Sequence, residues 1–253
     1  MPTLVTGPIS EQAEYESHWN CVLSALTPVD LQQMALFRDL SLKSLEELLE
    51  RHRETNHQAE QLIVMEQDWG ESLFLLRSGL AKVRTFTADG DEVVMSLLGE
   101  GDVFGEMSAL DGAARSADVV ALTTLDLVKM RSAPFSALLQ REVGFALALA
   151  RLEASRLRDL NQRFALQSAD ATTRALDALA YLARKSSPKA DATAEIPAVG
   201  QKEIALIAGL ARETASRTIS KLRSRGTIID TKNGGLQLID LKPLVKRGLL
   251  PIA

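Results

Sequence analysis

The chain has 253 residues, of which 46% are hydrophobic and 25% are charged. That length allows two ordinary domains with buried cores. The sequence has no apolar run near the roughly 18–20 residues that cross a bilayer, and its first twenty residues carry acids where a signal peptide is basic. We therefore expect a soluble, cytoplasmic protein with no membrane partner. Cys21 is the one cysteine, which excludes an internal disulfide and the four-cysteine zinc and iron–sulfur sites.

The formal net charge of −4 is unevenly distributed along the chain. Residues 198–253 hold ten Lys and Arg against four Asp and Glu, a net charge of +6, which leaves −10 for the remaining residues. A basic end on an acidic body is typical of a nucleic-acid-binding module attached to another domain. The alternative is a charged face that is only solvated.

The first half of the chain changes its hydrophobic period from helical to alternating. Residues 1–35 show no sustained period, and we interpret them as an extension that is partly ordered at best. The pattern SLKSLEELLERH then predicts a short amphipathic helix capped by Ser41. Short apolar runs separated by turn residues follow, and they predict an antiparallel barrel or jelly roll over residues 36–133. The runs are QLIVME, SLFLLR, LAKVRTF, EVVMSLL and TLDLVKM.

Residues 134–168 have the composition of a long helix. After Pro134 they contain no further proline and one glycine, which predicts a single helix of about 35 residues. Apolar and small residues recur in it at spacings of four and three, the pattern of a coiled-coil seam, and we predict a homodimer. Alternatively, the helix packs only on its own barrel, through the stripe Phe145, Leu149 and Leu152. The seam residues are Val143, Leu147, Ala150, Ala154, Leu157, Asn161 and Phe164.

Residues 169–253 predict a winged helix-turn-helix domain. Asp170 precedes the amphipathic pattern ATTRALDALAYLAR, and the connection SSPKADATAEIPAVG leads to two short helices joined through Gly209. The hairpin signal Asn233-Gly234 lies between two β-rich runs and predicts the wing. The alternative, an ordinary helical hairpin, is disfavoured by the wing and by the basic charge.

The second helix of this pair carries side chains suited to reading DNA. Arg212, Glu213 and Arg217 are spaced to project from roughly one helix face towards a major groove. Arginine can bind N7 and O6 of guanine together, and glutamate can accept a hydrogen bond from the amino group of cytosine. The cations expected to hold DNA phosphates are Lys221, Arg223 and Arg225.

From about Leu36 to Leu241 the chain resembles the cyclic-AMP receptor protein (Crp/Fnr) family of bacterial transcription regulators. The resemblance implies an α+β protein with an N-terminal antiparallel β-roll that holds a cyclic nucleotide, a long dimerisation helix and a C-terminal winged helix-turn-helix. It also implies a palindromic DNA site with TGTGA-like half-sites, and we expect RNA polymerase as a partner. The segments that carry it are LFLLRSGLAKV (73–83), GEGDVFGEMSAL (99–110), ARSA (114–117) and ARETASR (211–217).

The stretch FGEMSALDGAARSA has the residue types needed to hold a cyclic phosphodiester beside its ribose. Arg115, Ser116 and the backbone amides that follow Gly105 are donors for phosphate oxygens, and a glycine lets the backbone approach closely. Glu106 is then left to accept a hydrogen bond from a ribose hydroxyl, and the Gly-Glu pair and the Arg match the family's nucleotide-binding positions. The alternative is that Glu106 and Arg115 simply form a salt bridge on a turn.

The sequence departs from the family pattern in two places. Where cyclic-AMP-binding members meet the adenine with Thr-Ser or Thr-Asn, this chain has Leu160 and Asn161. Asn161 is expected to bond the base across the dimer, whereas Leu160 has no donor or acceptor, so the identity of the base stays open. Ala211 stands in place of the usual serine cap of the recognition helix, a loss that typically costs about 1 kcal/mol.

We interpret the chain as a homodimeric, DNA-binding transcription regulator, not an enzyme, that is controlled allosterically by cyclic AMP. The second hypothesis keeps the DNA binding and changes the effector to cyclic GMP, another metabolite or none. A haem sensor is disfavoured because His18, His52 and His57 precede most of the predicted roll. A cupin-type enzyme is disfavoured because the strands from residue 62 to 130 contain no histidine, and we expect no metal site.

Overall fold

The computed structural model describes residues 25–250 of the chain. These residues form a roll of antiparallel strands, two helices that leave it, and a smaller helical domain with a β-hairpin. The helices are α1 (Pro28–Gln32), α2 (Leu42–Leu49), α3 (Glu106–Asp111), α4 (Ser132–Arg141), α5 (Val143–Ala165), α6 (Ala171–Lys185), α7 (Gln201–Ile207), α8 (Arg212–Ser224) and α9 (Lys242–Val245). The strands are β1 (Arg53–His57), β2 (Leu62–Val64), β3 (Ser72–Ser78), β4 (Ala81–Phe86), β5 (Glu92–Leu98), β6 (Val103–Phe104), β7 (Asp118–Ala121), β8 (Leu125–Arg131), β9 (Ile228–Asp230) and β10 (Leu236–Leu238).

Ordered chain begins before the predicted start of the roll. Thr27 and Asp30 form a reciprocal capping box at the start of α1, and Leu31 within that helix is fully buried. Residues 25–35 are therefore ordered, and Leu26 and Leu31 belong to the core of the roll, so the domain starts earlier than the predicted boundary at residue 36. Residues 1–24 lie outside the described range.

Helix α2 follows as its sequence pattern predicts. The hydroxyl of Ser41 accepts a hydrogen bond from the amide of Ser44 at 3.1 Å, which caps the helix. Leu45, Leu48 and Leu49 lie on one face of α2 and are buried against the roll. This face seals one end of the roll's core.

The roll is built from two four-stranded antiparallel sheets. Their strand orders are β1-β8-β3-β6 and β2-β7-β4-β5, so strands distant in the sequence lie side by side. Alternating side chains of both sheets point inward, and Phe74 and Phe104 stack there with ring centroids 5.0 Å apart. The predicted antiparallel β-roll is confirmed.

The predicted single helix over residues 134–168 is wrong, because the chain turns at Glu142. That residue has φ −112° and ψ 94°, which separates α4 from α5. Phe135 and Phe145 show why, since their ring centroids lie 5.2 Å apart in one core. In a straight helix, ten residues would separate them by about 15 Å along the axis. The turn therefore lets both aromatic rings enter the same apolar cluster.

The C-terminal domain has the predicted helix-turn-helix and wing. Asp170 caps α6, helices α7 and α8 form the helix pair, and β9 and β10 form the hairpin, whose turn at Gly234 has φ +77°. Its core is continuous with that of the roll, because Tyr181 of α6 accepts a hydrogen bond from the buried amide of Leu97 at 3.0 Å. Within residues 25–250, no helix is long and apolar enough to cross a membrane.

Candidate functional site

A cavity of about 330 Å³ lies between the roll and the inner face of α5. Its apolar wall comes from strand residues such as Val83 and Leu98 and from Leu160 of α5. Its polar end brings together the residues that the sequence predicts as a phosphate and ribose site. Those at the polar end are Gly105, Glu106, Ser108, Arg115, Ser116 and Arg156.

Gly105 permits the close backbone approach that this polar end requires. Its φ is +78°, in the left-handed region that favours glycine. A Cβ atom at this position would lie 2.6 Å from Nη1 of Arg115, so any side chain would displace the guanidinium. Helix α3 starts at the next residue, and its first backbone amides belong to a turn that has no intrahelical acceptors for them.

Arg115 is held in place mainly by backbone groups. Its guanidinium donates hydrogen bonds to the carbonyl oxygens of Gly105 at 2.8 Å and Ser72 at 2.5 Å, and the residue is only 6% exposed. Burial lowers the pKa of Arg115 from its usual value, and the charges of Glu106 and Asp68 oppose that shift. The side chain is therefore a fixed cation. These two hydrogen bonds use two of its five N–H groups, and the other three do not take part in them.

Glu106 is paired with a residue that the sequence did not single out. Its Oε1 accepts a hydrogen bond from Nη1 of Arg156 at 2.8 Å, so the alternative of a pair between Glu106 and Arg115 is not the observed arrangement. Oε2 of Glu106 has no hydrogen-bond partner among residues 25–250, although the residue is only 4% exposed. Burial raises the pKa of Glu106 and Arg156 opposes this, while the neighbouring Glu153 adds to the rise. One carboxylate oxygen is thus available as an acceptor at the cavity.

Arg156 links the cavity to α5. It also donates hydrogen bonds to the carbonyl oxygen of Val103 and, at 3.0 Å, to Glu153. Its distance from Glu106 along the chain is fifty residues, so no local motif identifies it. The helical spacing could have identified it, because Arg156 precedes Leu160 by four residues and both therefore lie on one face of α5.

Leu160 and Asn161 occupy different faces of α5. Leu160 and Leu157 line the cavity, whereas Asn161 is exposed and is not part of its wall. Successive helical residues are separated by about 100°, which accounts for this difference. Asn161 therefore does not face the cavity of its own chain, and its contact with a base across a dimer stays a prediction.

The predicted seam of α5 is an exposed apolar face in the described chain. Val143, Leu147, Leu157 and Phe164 are 72%, 52%, 58% and 70% exposed. The second apolar stripe of α5 is buried instead of exposed: its first residue, Phe145, belongs to the cluster that joins the roll and α4. The helix therefore packs on its own roll and still leaves an apolar face without a partner.

The residues that the sequence predicts to face DNA lie together on α8. Arg212, Glu213, Arg217 and Lys221 are all exposed, while residues on the opposite face of α8 are buried against α6 and α7. Ala211 provides no side-chain cap. The carboxylate of Glu213 lies 3.7 Å from the guanidinium of Arg217, so both side chains are on one face.

Arg223, which the sequence predicts to hold phosphate, forms an ion pair within the domain. Its guanidinium is 2.7 Å from the carboxylate of Asp230, which lies in the wing. The side chain therefore joins α8 to the hairpin, and its contact with DNA phosphate stays a prediction.

Comparison with known families matches both halves of the chain. Residues 54–142 match the cyclic nucleotide-binding domain, and residues 173–247 match the Crp-like helix-turn-helix domain. Together these domains define a DNA-binding transcription regulator with a cyclic-nucleotide-binding module. The chain belongs to the Crp family: over 169 residues it is 36% identical to the cyclic AMP receptor protein of Thermus thermophilus, covering 66% of this chain and 74% of that protein.

Other relatives agree with this assignment. The chain is 27% identical over 168 residues to the CRP-like cAMP-activated global transcriptional regulator of Mycobacterium tuberculosis, covering 66% of this chain and 75% of that one. The fold is similar to the structure of FixK2 from Bradyrhizobium japonicum, with a TM-score of 0.68 at 20% identity, over 80% of this chain and 98% of that one.

Proposed function

We propose that the protein is a homodimeric transcription regulator whose affinity for DNA is controlled by cyclic AMP bound between the roll and α5. The observation that carries the proposal is the cavity of about 330 Å³, in which a fixed arginine and a carboxylate with one unpaired oxygen meet. A volume of this order is at the small end of the range for ligand pockets and suits one nucleotide.

The polar groups of the cavity divide between phosphate and ribose. The remaining N–H groups of Arg115, with the hydroxyl of Ser116 and the amides after Gly105, donate to the phosphate oxygens. Oε2 of Glu106 accepts from the ribose hydroxyl, which satisfies the buried oxygen. The base then lies towards Leu157 and Leu160 on α5.

The dimer would form through the exposed seam of α5. Pairing two copies buries Leu147, Leu157 and Phe164, which are otherwise more than half exposed. Asn161 is on this seam one residue beyond Leu160, so dimerisation brings it near the cavity of the second chain, where an amide can bond the base.

The effect of the bound nucleotide is transmitted to the DNA-binding domain through α5. Arg156 bonds Glu106 and belongs to α5, so a ribose hydroxyl that joins Glu106 changes the contact between the roll and the helix. The two recognition helices then adopt the separation that suits two half-sites of a TGTGA-like palindrome, with Arg212 and Arg217 on guanines and Glu213 on cytosine. Lys221 holds phosphate, and RNA polymerase is the partner of the DNA-bound dimer.

A second candidate keeps the DNA binding and changes the effector. Leu160 supports it, because the leucine faces the cavity where cyclic-AMP-binding members have a hydroxyl. Cyclic GMP, another metabolite or no effector are the alternatives.

Calorimetric titration of the full-length protein with cyclic AMP and with cyclic GMP tests the proposal. We expect one site per chain for cyclic AMP and at least about tenfold weaker binding of cyclic GMP, a difference of about 1.4 kcal/mol. Equal or stronger binding of cyclic GMP would favour the second candidate. The absence of heat with either nucleotide, confirmed by equilibrium dialysis, would refute a cyclic nucleotide effector.

A further inference from the structure

The charged side chains of β4 connect the roll to the DNA-binding domain. Lys82 and Arg84 lie two residues apart on β4, and both reach the carboxylate of Glu92 on the neighbouring strand. Lys82 is only 3% exposed, although it is a lysine on the strand of a small roll. A buried ammonium requires partners, and here the partners come from two different domains.

The ammonium of Lys82 lies between two carboxylates. Its Nζ is 2.6 Å from Oε1 of Glu92 on β5 and 2.5 Å from Oε2 of Glu203 on α7. Burial would raise the pKa of Glu92, but hydrogen bonding and charge from Lys82, together with Arg84, bring that pKa below its usual value. The carboxylate of Glu92 is therefore ionised and contributes a full negative charge to Lys82.

The pairs continue from Glu92 towards the candidate effector site. Nη1 of Arg84 is 3.5 Å from Glu92, and Nε of Arg84 is 3.2 Å from Oδ2 of Asp118. Asp118 is buried and also accepts a hydrogen bond from the amide of Glu66 at 2.8 Å. Asp118 follows Ser116 by two residues, so the chain of ion pairs starts beside the phosphate end of the cavity.

We propose that the ion-pair chain formed by Asp118, Arg84, Glu92, Lys82 and Glu203 positions the DNA-binding domain on the roll, with Lys82 as its interdomain contact. In a buried chain each charge depends on its neighbour, because removing one partner leaves the next uncompensated. The reading face of α8 remains exposed in this docked arrangement, so the contact fixes the orientation of the recognition helix and does not cover it. The role of the ion-pair chain as a second connection between the effector site and the DNA-binding domain, in addition to α5, rests on the proposed function.

Hydrogen–deuterium exchange of the full-length protein without nucleotide tests this positioning role. Lys82→Met keeps most of the side-chain volume and removes the charge, and Glu203→Gln removes the other side of the contact. We expect both variants to exchange at least about tenfold faster than the wild type in residues 94–98 and 201–207, and to match it in β1 and β8. Lys129→Met, an exposed lysine of the same roll, is the control and should change neither segment.

Two further variants test whether the residues act as one chain. Arg84 has no ion pair with α7, yet Arg84→Met should also accelerate exchange in residues 201–207, because it releases Glu92 to draw Lys82 away from Glu203. The double variant Lys82→Met with Glu203→Gln should exchange no faster than the faster single variant, since both changes remove one contact.

The results separate this inference from the proposed function. Wild-type exchange in Lys82→Met, or faster exchange spread evenly over the whole chain, would overturn the positioning role. Wild-type exchange in Arg84→Met would overturn the chain. A wild type that binds no cyclic nucleotide would refute the proposed effector, while the exchange rates measured without ligand would still decide the role of Lys82.

Discussion

At the scale of single residues, Arg115 has two tasks. It bonds the carbonyl oxygens of Gly105 and Ser72, and it faces the cavity as a fixed cation. The first task supports the fold and the second is the proposed contact with phosphate, so replacing Arg115 is expected to combine both effects. Ser116 also faces the cavity, and its hydroxyl makes a weak 3.6 Å contact with the sulfur of Met107. Replacing Ser116 should therefore affect ligand binding and leave the stability of the fold unchanged.

Ser116→Ala and Arg115→Leu should therefore differ in a defined way. We expect Ser116→Ala to weaken cyclic AMP binding about 10- to 150-fold at unchanged stability, since a hydrogen bond to a charged group contributes about 1.5–3 kcal/mol. Arg115→Leu should abolish measurable binding and lower the free energy of unfolding by about 1–3 kcal/mol, because two carbonyls lose their donors. Calorimetry and urea unfolding measure both effects, with Arg141→Leu, on an exposed ion pair, as the control. Normal nucleotide affinity in Arg115→Leu would refute the phosphate assignment.

Asp177 on α6 gives a pH signature to the C-terminal domain. Burial raises its pKa above the ordinary carboxyl value, and the charges of Arg184 and Arg163 oppose part of the rise. As pH rises from the ordinary carboxyl pKa to the raised pKa of folded Asp177, the carboxyl group ionises in the unfolded chain before it does so in the folded protein. The free energy of unfolding therefore falls across that pH window.

Asp177→Asn should remove this pH dependence. The variant should gain unfolding free energy relative to the wild type as pH rises through the window, by about 1.4 kcal/mol for each pH unit that separates the folded and unfolded pKa values. The difference should be constant below the ordinary carboxyl pKa and above the raised pKa. Denaturant unfolding at a series of pH values measures it, and a difference that shrinks as pH rises would contradict the assignment.

The exposed cations of α8 should have distinct effects on DNA. Arg217→Ala, at a predicted guanine contact, should cost about 1–3 kcal/mol on the preferred site and relax the base preference there. Lys221→Ala, at a predicted phosphate contact, should weaken all sequences similarly and reduce the salt dependence by about one ion. Anisotropy titrations with the preferred and a scrambled DNA at several salt concentrations separate the two. The same loss on both DNAs for Arg217→Ala would refute its base contact.

The residues of the candidate site were predictable to the extent that they are close in sequence. Gly105, Glu106, Arg115 and Ser116 lie within a dozen residues, and the structure brings them to one end of the cavity. Arg156 was not predictable in this way, because its contact with Glu106 depends on how α5 is laid across the roll.

At the scale of elements, hydrophobic pattern identified the strands with strong apolar signals and missed three others. The sequence RETNH of β1 is polar and has no apolar alternation. It forms a strand because its backbone pairs with β8. Strand β6 has two residues, too few for any period. Strand β7 directly follows the ARSA segment, so its DVVA residues were not separated from the loop.

The break at Glu142 shows why a composition typical of helix did not give one helix. Both sides of the break are good helix formers, and the turn is imposed by the core that Phe135 and Phe145 share. Tertiary packing of two aromatic rings therefore decided where α5 starts, and with it the direction of the seam.

The seam itself supports a test of dimerisation. Leu147→Glu combined with Leu157→Glu places two charges where the apolar faces would meet, and we expect the protein to change from a dimer to a monomer. Sedimentation equilibrium measures the mass, with Ser155→Glu, exposed on α5 but outside the seam, as the control. A wild type with the mass of one chain, or a double variant that remains a dimer, would contradict the seam.

At the scale of the whole molecule, two of the connections between the roll and the C-terminal domain start at the proposed effector cavity. One is α5, which carries Arg156 at the cavity and continues towards the C-terminal domain, where Arg163 bonds carbonyls of β5 and of Ile207. The other is the ion-pair chain that ends at Glu203. Sequence reasoning placed both domains and the helix between them, but it gave no information about their packing, because Lys82 and Glu203 are 121 residues apart.

Anisotropy of a labelled duplex with two TGTGA-like half-sites measures whether nucleotide in the cavity changes the affinity for DNA. We expect saturating cyclic AMP to tighten binding by about 5- to 150-fold, the usual range for coupled sites, and to have no such effect on a scrambled duplex. Linkage requires DNA to tighten cyclic AMP binding by the same factor. An affinity for the duplex that is unchanged between zero and saturating cyclic AMP would contradict control of DNA binding by the nucleotide.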